Sequence, residues 1–232
     1  MYKRQSQEIL RGLSFTVERG TCLGLMGGSG TGKSVTLRHI IGLLKADSGT
    51  VRVDGHDMGQ IQRGDLFELR KRMGYVFQEG ALINWLTVGE NLALPLQENT
   101  DLSPAEITDK VMEKLELVRT PDAKDKFPSE ISGGMKKRIG LARALITDPE
   151  IVLYDEPNAG LDPQIARSIN ELMREVSDRL SVTALIVEHR VECLQTVADE
   201  VIFLSGGKAL IRAATAEFFN PDEPELREFL GV

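Results

Sequence analysis

The sequence predicts an α/β fold: a mostly parallel sheet wound with helices, interrupted near its middle by a helical insertion. Three observations carry this expectation. Short apolar runs of strand length recur, segments of helical periodicity separate them, and one glycine-rich loop joins a strand directly to a helix. In chain order, residues 13–17 alternate apolar and polar, Glu18-Arg19-Gly20 turns, and 21–26 reads as a buried strand. The glycine-rich loop follows, then a helical pattern from Lys33 to about Leu44. Residues 51–53 form a short strand entering the turn Asp54-Gly55, residues 66–73 a helix, and 74–77 another strand.

From about Glu79 to Leu145 the pattern is mainly helical, with two clear starts. Thr87 with Glu90, and Ser103 with Glu106, each fit a capping box, the second with Pro104 at the first helical position. Strands return at 151–154, 182–187 and 201–204, and Asp162-Pro163 caps a helix running to about Leu180. The chain thus reads as one domain, with a core of 1–78 and 146–232 and a helical subdomain of 79–145.

Composition narrows the function classes. The balance of 41% hydrophobic and 27% charged residues is that of an ordinary globular chain. No run approaches the ~18 apolar residues of a membrane helix, and the polar start Met1-Tyr2-Lys3-Arg4-Gln5-Ser6 does not resemble a signal peptide. These features predict a cytoplasmic chain. A net charge of −7 argues against docking onto nucleic acid or an anionic leaflet, so attachment to a membrane would need a protein partner. Cys22 and Cys193 read as buried thiols in a reducing compartment rather than a disulfide or metal site.

Gly27-Gly28-Ser29-Gly30-Thr31-Gly32-Lys33-Ser34 has the spacing of a phosphate-binding P-loop, with a strand before it and a helix after. Glycines let successive backbone N–H groups turn inward around phosphate oxygens, and the helix adds its positive N-terminal end. Lys33 is expected to reach the β- and γ-phosphates and the Ser34 hydroxyl to ligate Mg²⁺. Residues 151–154 form an apolar strand ending in Asp155-Glu156, where open α/β sheets bind ligands. Asp155 suits the Mg²⁺ site, and Glu156 could polarise an attacking water.

Together these residues resemble the ATP-binding-cassette (ABC) class of ATPases. Ile131-Ser132-Gly133-Gly134-Met135 looks like its signature, Gln78 its Q-loop, Ala159-Gly160-Leu161-Asp162 its D-loop, and His189 its switch histidine. The resemblance implies a P-loop NTPase (RecA-like) core with an antiparallel β subdomain and an inserted α-helical subdomain. It also implies ATP as substrate with Mg²⁺ held by Ser34, Gln78 and Asp155, and catalysis by Glu156 and His189. The ATP would bind along the P-loop, with Tyr2 stacking on adenine. Ser132 is a good N-cap, and the glycines behind it open a helix whose amides favour an anion. The resemblance implies that Ser132, Gly133, Gly134 and Met135 grip the γ-phosphate held by a second copy, in a homodimer with Asp162 in its D-loop.

Met135 replaces a common glutamine, a feature similar to the Mce/Mla group of phospholipid transporters, as are residues 77–82, 87–96 and the tail 226–230. That likeness implies integral membrane permease subunits and an Mce-type lipid-binding protein as partners, on the cytoplasmic face of a bacterial inner membrane, and no nucleic acid. Arg190 stands where the family often has aspartate, and the chain begins so close to Tyr2 that the family's usual first strand is missing, which leaves a truncated start open. Lys136-Lys137-Arg138 reads as a solvated helix face. Ala81-Leu82-Ile83-Asn84-Trp85-Leu86 either packs the helical subdomain onto the core or lines the groove for a permease helix.

Overall fold

The computed structural model describes residues 8–220 and 223–231. Strand β1 (Cys22–Gly27) leads into helix α1 (Lys33–Ile40), then the hairpin β2 (Arg52–Val53) and β3 (His56–Asp57), helix α2 (Arg63–Lys71) and strand β4 (Met73–Val76). Three helices follow: α3 (Val88–Asn99), α4 (Pro104–Leu117) and α5 (Gly133–Leu145). The remainder alternates: β5 (Ile151–Asp155), α6 (Pro163–Leu180), β6 (Thr183–Val187), α7 (Val191–Val197), β7 (Glu200–Ser205), β8 (Lys208–Ala214), α8 (Thr215–Phe218) and α9 (Pro224–Leu230).

The main sheet has the order β4-β5-β6-β1-β7-β8, parallel except for the antiparallel edge strand β8. Its central strands are buried on both faces, and their period-2 alternation divides the side chains between two cores. Cys22 and Met26 of β1, Val152 and Tyr154 of β5, and Ala184 and Ile186 of β6 join the core under α3–α7. Leu23, Leu25, Leu153, Leu185 and Val187 join the opposite core with Leu37 of α1 and Leu69 of α2. Both predicted capping boxes form, and Asp162 Oδ1 accepts from the amides of Gln164 and Ile165, each at 3.0 Å. None of the helices among the described residues is long and apolar enough to cross a membrane.

Several boundaries differ from the sequence reading. Residues 13–17 enter no ladder among the described residues. Leu13, Phe15 and Val17 do alternate inward onto the α1–α2 core. Alternation reports which side chains are buried, whereas a strand needs a hydrogen-bonding neighbour as well. Helix α1 stops at Ile40 rather than Leu44, because Gly42 takes a left-handed φ of 72° and Leu43 N–H folds back to Arg38 O at 2.8 Å. Strand β4 is Met73–Val76, one residue earlier than expected, and α2 begins at Arg63. Tyr2 lies outside the described residues.

Candidate active site

Parallel register brings the candidate residues to one edge of the sheet. Leu25 of β1 and Asp155 of β5 both pair with Val187 of β6, and Val76 of β4 pairs with Tyr154. The P-loop after β1, Gln78 after β4, Asp155-Glu156 at the end of β5 and His189 after β6 therefore all leave the same carboxyl edge. The ladder continues beyond the strands: Glu156 N–H donates to Val187 O at 2.9 Å, and Glu188 N–H to Leu25 O at 3.3 Å.

In the loop, Gly32 serves as the N-cap of α1 at φ 106°, a conformation L side chains rarely adopt, and a Cβ there would meet Leu10 Cδ2 at 2.5 Å. Thr31 Oγ1 donates to Gly28 O at 2.9 Å and Thr36 Oγ1 to Gly32 O at 3.0 Å, so the loop is braced from both sides. The Lys33 ammonium is tucked under it, donating to Gly27 O and Gly28 O, both at 2.8 Å. Burial holds that ammonium below the ordinary lysine range, while the charges of Glu156, Glu188 and Asp155 oppose the shift. Ser29 and Gly30 stand exposed at the tip.

Asp155 is held between two hydroxyls. Ser34 Oγ donates to Oδ1 at 2.9 Å and Tyr75 Oη to Oδ2 at 2.9 Å. Burial, then the Asp155 charge, push the Tyr75 phenol well above its usual range, which keeps it a donor. Glu156 takes φ 47°, the left-handed region that a non-glycine residue enters at a cost of about 1 kcal/mol. The candidate donors Ser34, Asp155 and Gln78 offer hydroxyl, carboxylate and amide oxygens. That hard-oxygen set suits Mg²⁺ alongside phosphate, and the 2.9 Å approach of Ser34 to Asp155 makes the fit concrete.

The signature residues lie elsewhere. Ser132 caps α5, its Oγ accepting from Met135 N–H at 3.3 Å, and Ser132 and Gly133 are exposed. Among the described residues no hydrogen bond joins Ser132, Gly133, Gly134 or Met135 to the P-loop. Ser132, Gly134 and Met135 instead border an open groove of about 400 Å³ that Arg119, Lys126 and Arg138 also line. The P-loop and residues 132–135 thus stand without a shared hydrogen bond among the described residues.

Sequence reasoning passed over Tyr75 and Glu188, and it gave Lys137, Arg138 and Arg190 no contacts of the kind the structure shows. Tyr75 grips Asp155, and no spacing rule announces it. Glu188 is fully buried beside His189; a charge closing an apolar strand was its one visible signal. Lys137 corrects the reading of residues 136–138 as a solvated face: it is 8% exposed and its ammonium bonds the backbone oxygen of Gln78. Arg138 also turns inward, to Ser168 Oγ at 2.6 Å. Arg190, the departure from the family pattern, donates to Leu161 O at 3.0 Å and so ties the segment after His189 to residues 159–162.

Comparison with known proteins agrees with this geometry. Residues 10–159 match the family model described as ABC transporter. The chain is 40% identical over 226 residues to the probable ribonucleotide transport ATP-binding protein mkl of Mycobacterium tuberculosis, covering 97% of this chain and 63% of that protein. It is 39% identical to the methionine import ATP-binding protein MetN of Wolinella succinogenes, covering 94% and 72%. It therefore spans less than two thirds of the mkl proteins it matches. Among solved structures, the dimeric post-hydrolysis state of the ATP-binding cassette MJ0796 bound to ADP and Pi superposes at TM-score 0.82 with 28% identity, covering 92% and 94%. The cbiO1 protein of Clostridium perfringens, part of the ABC transporter complex cbiONQ, superposes at 0.86 with 26% identity, covering 100% and 96%. With residues 10–159 matching that family model, a braced P-loop and an acid pair at its sheet edge, this chain belongs to the ABC transporter family.

Proposed function

We propose that this chain is the ATP-binding and ATP-hydrolysing subunit of a membrane transporter and works as a homodimer. The carrying observation is the convergence of Lys33, Ser34, Asp155 and Glu156 at one sheet edge, while Ser132 is exposed and makes no hydrogen bond to them. Residues 27–34 cradle the triphosphate, and Lys33 exchanges its two carbonyl partners for phosphate oxygens. Ser34, Gln78 and Asp155 would hold Mg²⁺, which when bound would neutralise and orient phosphate charge. Glu156 takes a proton from the attacking water, and His189 hydrogen-bonds the γ-phosphate. A two-fold dimer brings Ser132 and the amides of Gly133, Gly134 and Met135 onto the γ-phosphate of the partner, with Asp162 nearby. The dimeric cassette structures it resembles support that arrangement.

Residues 79–145 act as a helical subdomain between this site and the permease, on the cytoplasmic face of the membrane. The mkl and MetN names carry two unlike cargoes, ribonucleotide and methionine, so likeness in the cassette does not track cargo. The Met135 signature and residues 77–82, 87–96 and 226–230 favour a phospholipid or other hydrophobic compound, with an Mce-type partner. Methionine import is the second reading, favoured by the MetN relatives.

Glu156→Gln tests the core of this proposal. The amide cannot take up the proton, so phosphate release should fall at least about 100-fold while ATP binding persists. The variant should then run as a dimer in gel filtration with MgATP. Normal turnover, or a chain that stays monomeric with ATP bound, would refute it.

A further inference from the structure

We propose that Tyr75 is a positioning residue for the Mg²⁺ that accompanies ATP: its hydroxyl fixes Asp155 so that Ser34 turns its oxygen lone pairs, not its hydrogen, to the cation. Tyr75 of β4 lies opposite Leu153 of β5, so Asp155 stands two residues further along the neighbouring strand. Residues two apart share a face of the sheet, and a long side chain reaches that diagonal neighbour. Tyr75 Oη donates to Asp155 Oδ2 at 2.9 Å, and Ser34 Oγ donates to Oδ1 at 2.9 Å. Among the described residues these two hydroxyls are the only hydrogen-bond partners of the carboxylate.

Proton counting fixes what each partner does. An ionised carboxylate only accepts, whereas a serine hydroxyl has one hydrogen and two lone pairs. With its hydrogen committed to Oδ1, Ser34 keeps both lone pairs for a cation. The last torsion of an aspartate is broad, so a single hydroxyl on a single oxygen leaves the group free to turn. Tyr75, bonded to the second oxygen, fixes its plane. The phenol is fixed in its own right: it is half-buried, packs onto the α1–α2 core, and its ring centroid lies 4.4 Å from that of Phe77. Phenylalanine would fill the same space. What the hydroxyl adds is a donor aimed at the one acid of the candidate metal set. Outer-shell partners of this kind are worth about 10–100-fold in metal affinity.

This inference rests on the reading that Asp155 serves Mg²⁺, and the test separates the two. Calorimetry on the full chain measures Kd for a slowly hydrolysed ATP analogue, once in excess Mg²⁺ and once in EDTA. The ratio of the two constants reports what the protein gains from the metal, and packing defects leave that ratio alone. In Tyr75→Phe, which keeps the ring, the Kd in Mg²⁺ should rise about 10-fold while the Kd in EDTA is unchanged. Equal rises in both would assign Tyr75 to packing, and no rise in either would leave its hydroxyl without a task; each result overturns the proposal. Asp155→Asn should shift the ratio in the same direction, and Tyr75→Phe should add nothing in that background. A further shift in the double variant would also overturn it. If Asp155→Asn leaves the ratio at the wild-type value, the metal reading of Asp155 falls and takes this inference with it. If Asp155→Asn shifts the ratio and Tyr75→Phe does not, the inference about Tyr75 alone falls.

Discussion

Lys33 is buried by the loop it serves, and its ammonium satisfies two glycine carbonyls that face inward. Replacing it with alanine strands those carbonyls and removes the cation aimed at phosphate. Charge-assisted hydrogen bonds are worth about 1.5–3 kcal/mol each, so Lys33→Ala should weaken ATP binding about 10–100-fold or more. Fluorescent-nucleotide titration measures this, and unchanged affinity would reject the P-loop role. Residues of this kind were legible because their chemistry is tied to spacing along the chain. Tyr75 and Glu188 were not, since their roles depend on which strands lie side by side. Tyr75 meets Asp155, 80 residues further along the chain, only because β4 pairs in register with β5.

At the scale of elements, α5 and the segment after β4 form one clamped unit. Lys137 bonds the backbone oxygen of Gln78, and Arg143 Nη1 donates to Ala81 O at 2.5 Å. Between them Gly140 lies flush against Gly80, where a Cβ would meet Gly80 Cα at 2.9 Å. Positions 137, 140 and 143 repeat every three residues and so share a face of the helix. The helix that begins at the signature residues is thereby fastened to the Q-loop of its own chain. Gly140→Ala should break this fit: overpacking costs about 1–3 kcal/mol, against at most about 1 kcal/mol regained in helix propensity. The urea midpoint should fall, and a rise would show that Gly80 moves aside freely. Helix starts were legible in this region because capping chemistry is local. The clamp was not, because Lys137 looks like any surface lysine until the Q-loop lies beneath it.

For the whole molecule, the doubly buried sheet followed from apolar runs alternating with helices, and the structure bears this out. The edge strand β8 escaped notice because half its side chains face solvent and Lys208, Arg212 and several alanines dilute the apolar signal. The six residues 81–86 divide in the structure: Leu82 packs against the core, whereas Trp85 is 79% exposed. Phe77, 45% exposed and tilted at 40° against Tyr75 with ring centroids 4.4 Å apart, lies at the start of the same connection. An exposed tryptophan adds little to the stability of its own chain, and tryptophans are enriched among interface anchors. A net charge of −7 offers no attraction to an anionic membrane, so a protein contact must hold the chain there if it works in a transporter. Trp85→Asp should therefore change the melting temperature little, within about 0.5 kcal/mol of stability, and leave ATP affinity intact. The same variant should be lost from the membrane fraction of cells that retain the wild-type chain. A large fall in melting temperature would return Trp85 to a packing role, and full membrane retention with full transport would exclude this surface as the docking site.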